Sequence, residues 1–191
     1  MARQAERREI TRTAILAAAG ELFAAEGFAA VSVDRIAAAA GVAKGAVYHH
    51  FAAKEALFAE VLEAVCAEVA AEVTAAARAA PDVLAMLTEG SRAYFTATSR
   101  PPVRRILLED GPMVLGRTRW REVDARHFGA DLPLILARAV DDGLIPPQPV
   151  APMASLLLGA MTEAAMASAQ GEAEAGEYVT ALQRLVDGLR K

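Results

Sequence analysis

Residues 32–51 read SVDRIAAAAGVAKGAVYHHF, and the spacing within them decides the fold. Ala37, Gly41 and Val47 are separated by three and then five residues. That spacing suits two short helices joined at a steep angle. A small residue lets the helices approach, a glycine supplies the turn, and an apolar side chain returns from the second helix into the angle. Ile36, Ala40, Val42 and Phe51 complete the inward face. The outward face of the second helix, at i, i+1, i+4 and i+5, presents Lys44, Gly45, Tyr48 and His49. A cation, hydrogen-bonding groups and a glycine permitting close approach are the chemistry that meets phosphate oxygens and base edges in a major groove. The whole chain holds only three lysines and three histidines, and two of each fall in residues 41–58.

Helical patterns extend outward in both directions from this stretch. On the N-terminal side Ile15, Ala19, Leu22 and Phe23 share a helix face, with Thr11 expected as the N-cap and Ile10 and Ile15 as a hydrophobic staple. Gly27 is expected to end that helix. Ser32 caps the next, with Val31 and Ile36 as its staple and Asp34 in its first turn, where the helix dipole favours an anion. Further helices are expected from about Lys44 to Phe51, from Lys54 to the high seventies, and from Pro81 to before Arg100. A short one from Pro102 to Glu109 should stop at Asp110-Gly111-Pro112, before a long pattern from Met113 to Asp142 that bends near Gly129 and Pro133. The segment DGLIPPQP (142–149) excludes helix, and two more helices occupy about 151–169 and 175–190. Alternating apolar patterns long enough for a sheet are missing. The expected fold is all-α, with about nine helices. Residues 1–55 are expected to form a three-helix helix-turn-helix DNA-binding domain, and 56–191 a second helical domain.

Composition limits the functional classes. The 191 residues are 54% hydrophobic and 23% charged, as in a globular protein with ample core material. A single cysteine, Cys66, cannot form an internal disulfide and gives no sign of an oxidising compartment; its apolar surroundings favour a buried helix position. The basic N-terminus followed by apolar residues superficially resembles a signal peptide, but Glu6, Glu9 and Glu21 and the helical spacing argue against export. No apolar stretch is expected to approach the eighteen residues of a membrane span, so the expected location is cytoplasmic. The net charge of −4 speaks against nucleic acid until the chain is divided. Residues 1–55 carry seven Lys/Arg against six Asp/Glu, and the remainder carries thirteen against eighteen.

The segments AAGELFAAEGF (18–28), SVDRIAAAAGVAKGAVYHHF (32–51) and KEALF (54–58) resemble the DNA-binding domain of the TetR family of bacterial transcriptional regulators. The rest of the chain resembles that family in length, helical content and helix order. The resemblance implies that Ser32 and Arg35 lie near the DNA backbone. It further implies that Lys44, Tyr48 and Lys54 bind phosphates, and that Gly45, Ala46 and His49 approach bases. His50 is weighed as structural, facing the junction of the third and fourth helices. Arg3, Arg7, Arg8 and Arg12 would add contacts from a flexible arm or form a solvated cluster. Ala43, Ala46 and Ala53 stand where the family commonly has serine or threonine. A lost N-cap costs about 1 kcal/mol, so the third and fourth helices begin less firmly, while Ala46 retains apolar contact with a thymine methyl.

On the same grounds the protein is expected to be a homodimer through about 151–190, reading a palindromic operator in double-stranded DNA as a regulator, most commonly a repressor. Leu156, Leu157, Gly159, Ala160, Ala164 and Ala165 with Tyr178, Leu182, Leu185, Val186 and Leu189 would form a four-helix bundle between subunits. An apolar small-molecule effector would bind among Met86, Phe95, Met113, Trp120 and Phe128, with Tyr94 and His127 as polar anchors. Neither a cofactor nor a metal is implied. An enzyme finds no support in nucleotide or metal motifs. Asp124 and His127 share a helix face at i, i+3, and without a second such pair a surface salt bridge is the expected reading. A helical adaptor without operator binding is the remaining alternative.

Overall fold

The computed structural model describes residues 2–190, with side chains from residue 5 onward. All regular structure among them is helical. The helices are α1 (Ala2–Glu26), α2 (Val33–Ala39), α3 (Lys44–His50), α4 (Lys54–Arg78), α5 (Val83–Thr98) and α6 (Pro101–Arg104). A π-helical turn, Arg105–Asp110, leads into α7 (Gly111–Leu115), followed by α8 (Arg117–Phe128), α9 (Leu132–Asp141), α10 (Val150–Ala169) and α11 (Ala175–Asp187). The chain gathers into two compact units. One comprises the residues up to Val65 together with Pro101–Thr118, the other Cys66–Arg100 with the residues from Arg119 onward. The division expected at residue 55 thus falls later, inside α4, and the first unit recruits a distant segment.

Within the first unit α1 starts nine residues before the expected Thr11 cap. Alanine, arginine, glutamine and glutamate dominate residues 2–9, all strong helix formers, so the helix has no reason to wait for a cap. Ile10 is exposed and makes no staple. Ile15, Ala19 and Phe23 are buried as the spacing required. Phe23, Phe28 and Phe58 form the centre of this core, with ring centroids 5.7, 5.4 and 5.3 Å apart in tilted and edge-on arrangements. Burying each phenylalanine fully is worth about 1.5–3 kcal/mol. The α1 helix ends at Gly27, whose φ of 84° suits the left-handed turn.

The recruited segment completes that helix end. Asp110 is buried and its Oδ2 accepts the backbone N–H of Phe28 at 2.7 Å. The Arg105 guanidinium donates to the carbonyls of Ala24 and Ala25, which have no partner inside the helix. Asp110-Gly111-Pro112 was expected to stop a helix. The chain instead continues through it, because the π turn rearranges the hydrogen-bond ladder just where Pro112 cannot donate. The true break is Gly116, at φ 77°, which the sequence reading placed inside a helix.

In the second unit α5 packs against α9, α10 and α11, and α10 also packs on α9 and α11. Leu84, Tyr94, Phe95, Trp120, Leu136 and Ile145 are almost completely buried there. Asp82 caps α5 by accepting from Ala85 N at 2.8 Å. Gly129 separates α8 from α9, since a Cβ there would lie 2.7 Å from the Ala125 carbonyl oxygen and 2.9 Å from Leu158 Cδ2. The expectation that no stretch approaches a membrane span is corrected by α10. It is twenty residues long with Glu163 as its one charge, long and apolar enough to cross a membrane by length and composition. Its packing against three helices of its own unit accounts for part of that apolar surface.

Candidate nucleic-acid interface and effector cavity

The angle between α2 and α3 is fixed from inside. Ile36, Ala37, Val47 and Phe51 are all at most 3% exposed. Gly41 takes φ 67° in the turn, and no atom lies within 4 Å of the position its Cβ would occupy, so backbone conformation and not crowding selects glycine. Ser32 Oγ accepts from Arg35 N at 3.3 Å and caps α2 as expected. At α3 the N-cap position is Ala43, which makes no side-chain bond.

The outward face of α3 is open. Lys44, Gly45, Tyr48 and His49 are exposed and Ala46 is half-buried beside them. Lys44 Nζ donates to Asp34 Oδ2 at 2.8 Å, and this bond with the charge of Asp34 raises the lysine pKa. Arg35 forms a two-pronged pair with Glu26, at 2.6 and 2.5 Å, which raises the arginine and lowers the glutamate. Both pairs are solvent-exposed. Solvent screens such pairs, so a competing anion can displace either carboxylate at little cost.

Lys54 is placed differently. Its Nζ donates to the carbonyls of Phe28 and Val31 at 2.8 and 2.9 Å and lies 4.0 Å from the Phe28 ring centroid. The lysine thereby ties α4 to the loop before α2, and two of its three N–H donors are used in doing so. His50 is half-buried, and burial, followed by the charges of His49, Arg8 and Arg12, lowers its pKa. The arginines do not form a flexible arm: Arg7, Arg8 and Arg12 project from α1. Arg12 pairs with Glu60 and stands 5.4 Å from the Phe51 ring centroid. The side chain of Arg3 lies outside the described residues.

A cavity of about 200 Å³ opens in the second unit, between α4, α5, α8, α9 and α10. Met86, Tyr94, His127 and Phe128 line it as expected, with Gly90 and Leu134 among the other wall residues. Three expected residues do not. Met113 belongs to the first unit and is exposed, Trp120 is fully packed, and Phe95 turns toward α11, where its ring stacks on Tyr178 at 6.4 Å. Spacing alone put apolar residues on helices without telling which side of each helix faces the cavity. Asp124 is likewise corrected. It is not in a surface salt bridge but buried, with Oδ2 accepting from Thr162 Oγ1 at 2.9 Å. Desolvation raises its pKa to about 6, against the opposing effects of Thr162 and Arg121. No metal-binding group of His, Cys, Asp and Glu side chains occurs among the described residues.

A pair of short packed helices with an open polar face, followed by a second helical unit with an apolar cavity, is the architecture of helix-turn-helix regulators. Residues 15–61 match the profile of bacterial regulatory proteins of the tetR family, and residues 84–189 match the tetracyclin repressor-like C-terminal domain. The chain belongs to the TetR family of bacterial transcriptional regulators. A TetR-family regulator from Pectobacterium atrosepticum superposes with a TM-score of 0.87 at 31% identity, covering 97% of this chain and 96% of that one. The repressor KstR2 of Rhodococcus jostii is 47% identical over 51 residues, which are 27% of this chain and 25% of that protein. The regulator AcrR of Shigella flexneri is 36% identical over 100 residues, 52% of this chain and 46% of that protein. The chain therefore spans less than half the length of these curated relatives.

Proposed function

We propose that the protein is a cytoplasmic repressor that binds a palindromic operator as a homodimer and is released from it by a small, largely apolar ligand. The observation that carries this reading is the exposed Lys44–Gly45–Tyr48–His49 face on a helix whose angle is locked from within. Lys44, Tyr48, Ser32, Arg35 and the remaining donor of Lys54 would hold phosphates, while Gly45, Ala46 and His49 would face bases. Dimerisation through α10 and α11 is supported by Leu156 and Leu185, exposed on those two helices at 68% and 58%. A second copy of this chain would cover them and the remaining apolar surface of α10. The two α3 helices would then read half-sites about 34–36 Å apart.

Ligand release requires two dimer states with different ligand affinities. Every tenfold loss of operator affinity needs about 1.4 kcal/mol of differential binding. The α4 helix, which belongs to both units, is the element proposed to transmit it. Selection of bound sequences from random DNA tests the core of this reading. It should return an inverted repeat whose affinity falls steeply with salt. Recovery of no enriched sequence, or of one without symmetry, would reject it.

A single substitution separates binding from folding. Nothing lies within 4 Å of a Cβ placed on Gly45. Gly45→Ala should therefore stabilise α3 by up to about 1 kcal/mol through helix propensity. It should also weaken operator binding by interposing a methyl group at the closest approach. Thermal melts and gel shifts on the same preparation check both directions.

A further inference from the structure

The effector cavity has a wall that is chemically unfinished. Ser91, one of its lining residues, spends its hydroxyl on the Leu87 carbonyl at 2.6 Å. Tyr94, also in the wall and 1% exposed, has a hydroxyl with no hydrogen-bond partner. Asp124 Oδ1, equally buried, has none either, while its Oδ2 is held by Thr162. Burial above all raises the Tyr94 pKa, the charge of Asp124 adds to this and the Thr162 hydroxyl opposes it, so Asp124 and Thr162 lie close to Tyr94 although they are not themselves in the lining. Buried polar atoms without partners are rare, and the Tyr94 hydroxyl is the one of these two that belongs to the cavity wall, where a guest molecule can improve it.

We propose that the cavity selects a small uncharged molecule with one hydrogen-bond donor, a hydroxyl or a neutral N–H, taken up at the Tyr94 hydroxyl. The proposal rests on the reading of this cavity as the effector site and adds the chemistry of the effector. Three observations set that chemistry. An ionised Asp124 only accepts hydrogen bonds and takes the proton of Thr162, which frees the Thr162 oxygen to attract the Tyr94 proton and leaves the Tyr94 oxygen as an acceptor for the guest. The same carboxylate repels an anion placed at this end. A volume of about 200 Å³ is below the ~300–1,000 Å³ of clefts that hold drug-sized molecules, so the guest is small. Both unpaired atoms are covered by their neighbours, and uptake therefore includes a shift of the Tyr94 ring. Arg78, also in the lining, is the competing feature, since it would draw an anion.

Three probes of similar shape distinguish these outcomes: 4-ethylphenol as neutral donor, 4-ethylanisole as acceptor only, and 4-ethylbenzoate as anion. Calorimetric titration of the full chain at neutral pH should show 4-ethylphenol binding at least about tenfold more tightly than the other two. In Tyr94→Phe, which keeps the ring, that advantage should disappear. Equal or stronger binding of 4-ethylanisole or 4-ethylbenzoate overturns the proposal on the unmodified protein alone. Its persistence in a folded Tyr94→Phe does the same, and so does failure of all three probes to bind at millimolar concentration. Operator binding without any probe is a separate readout. A chain that binds DNA but prefers the benzoate keeps the regulatory reading and loses this one.

Discussion

Replacing Lys44 and Tyr48 together by alanine is expected to remove operator binding and leave the fold intact. Neither side chain supports the core: Tyr48 is 49% exposed, and Lys44 reaches only Asp34 across the surface. That pair is open to solvent and screened by it, so its loss matters little to the fold, and alanine favours α3 more than tyrosine does. The melting temperature should therefore stay nearly unchanged. Binding should respond differently, because in the proposed symmetric dimer each substitution acts twice. Loss of two phosphate contacts per half-site should cost on the order of 2–4 kcal/mol, roughly 30- to 1,000-fold in Kd. The salt dependence adds an independent check. Removing Lys44 from both half-sites should lower the log–log slope by about 2, whereas a lost base contact would leave it unchanged. Wild-type affinity in the double variant would place the DNA-binding face elsewhere.

The pairing of Lys44 with Asp34 and of Arg35 with Glu26 shapes this expectation. Both cations carry a carboxylate to the surface that DNA would approach, so its net charge is modest although its cations are well placed. If Lys44 and Arg35 hold phosphates as proposed, binding exchanges carboxylate for phosphate, and affinity depends on geometry more than on bulk charge. Arginine in a two-pronged pair gives up more geometry in that exchange than lysine at a single point. Arg35→Lys should consequently weaken the Glu26 pair while retaining a phosphate-binding cation.

What the sequence disclosed and what it withheld follow from the range of the interactions involved. Ala37, Gly41 and Val47 encode a local angle, and local spacing fixes which residues of α2 and α3 turn inward. The Ser32 cap and the Gly27 terminus are equally local. The π turn was not legible, because it answers to Pro112 and to a docking site on α1 some eighty residues away. Asp110 and Arg105 look like ordinary surface charges until they meet the backbone of Phe28, Ala24 and Ala25. The cavity was legible only in its choice of helices. Met113, Trp120 and Phe95 are apolar and large like the true lining residues, and nothing in their spacing separates them. Asp124 was misread for the same reason. Its partner Thr162 lies thirty-eight positions further along the chain, on another helix.

Asp124→Asn is expected to raise stability at neutral pH and to abolish a pH dependence. Burial lifts the Asp124 pKa from 3.8 to about 6, so the folded state holds this proton more firmly than the unfolded chain does. Between these values the native state binds more protons, and stability falls as pH rises. The contribution is greatest below the unfolded value and is lost as pH passes through the folded one. Integrated across that window, ionisation costs the folded state on the order of 3 kcal/mol. Asparagine preserves the shape and can still accept from Thr162, without the charge. At pH above about 7 the variant should melt roughly 5–10 °C higher than the unmodified chain, and near pH 4 the two should converge. Melts across this range, compared as differences, cancel the titration of all other groups. A variant less stable at every pH would show that the carboxylate is properly satisfied. If the difference runs as expected, Asp124 is a charge that folding tolerates. The same variant should then lose preference for a donor-bearing guest as it gains stability.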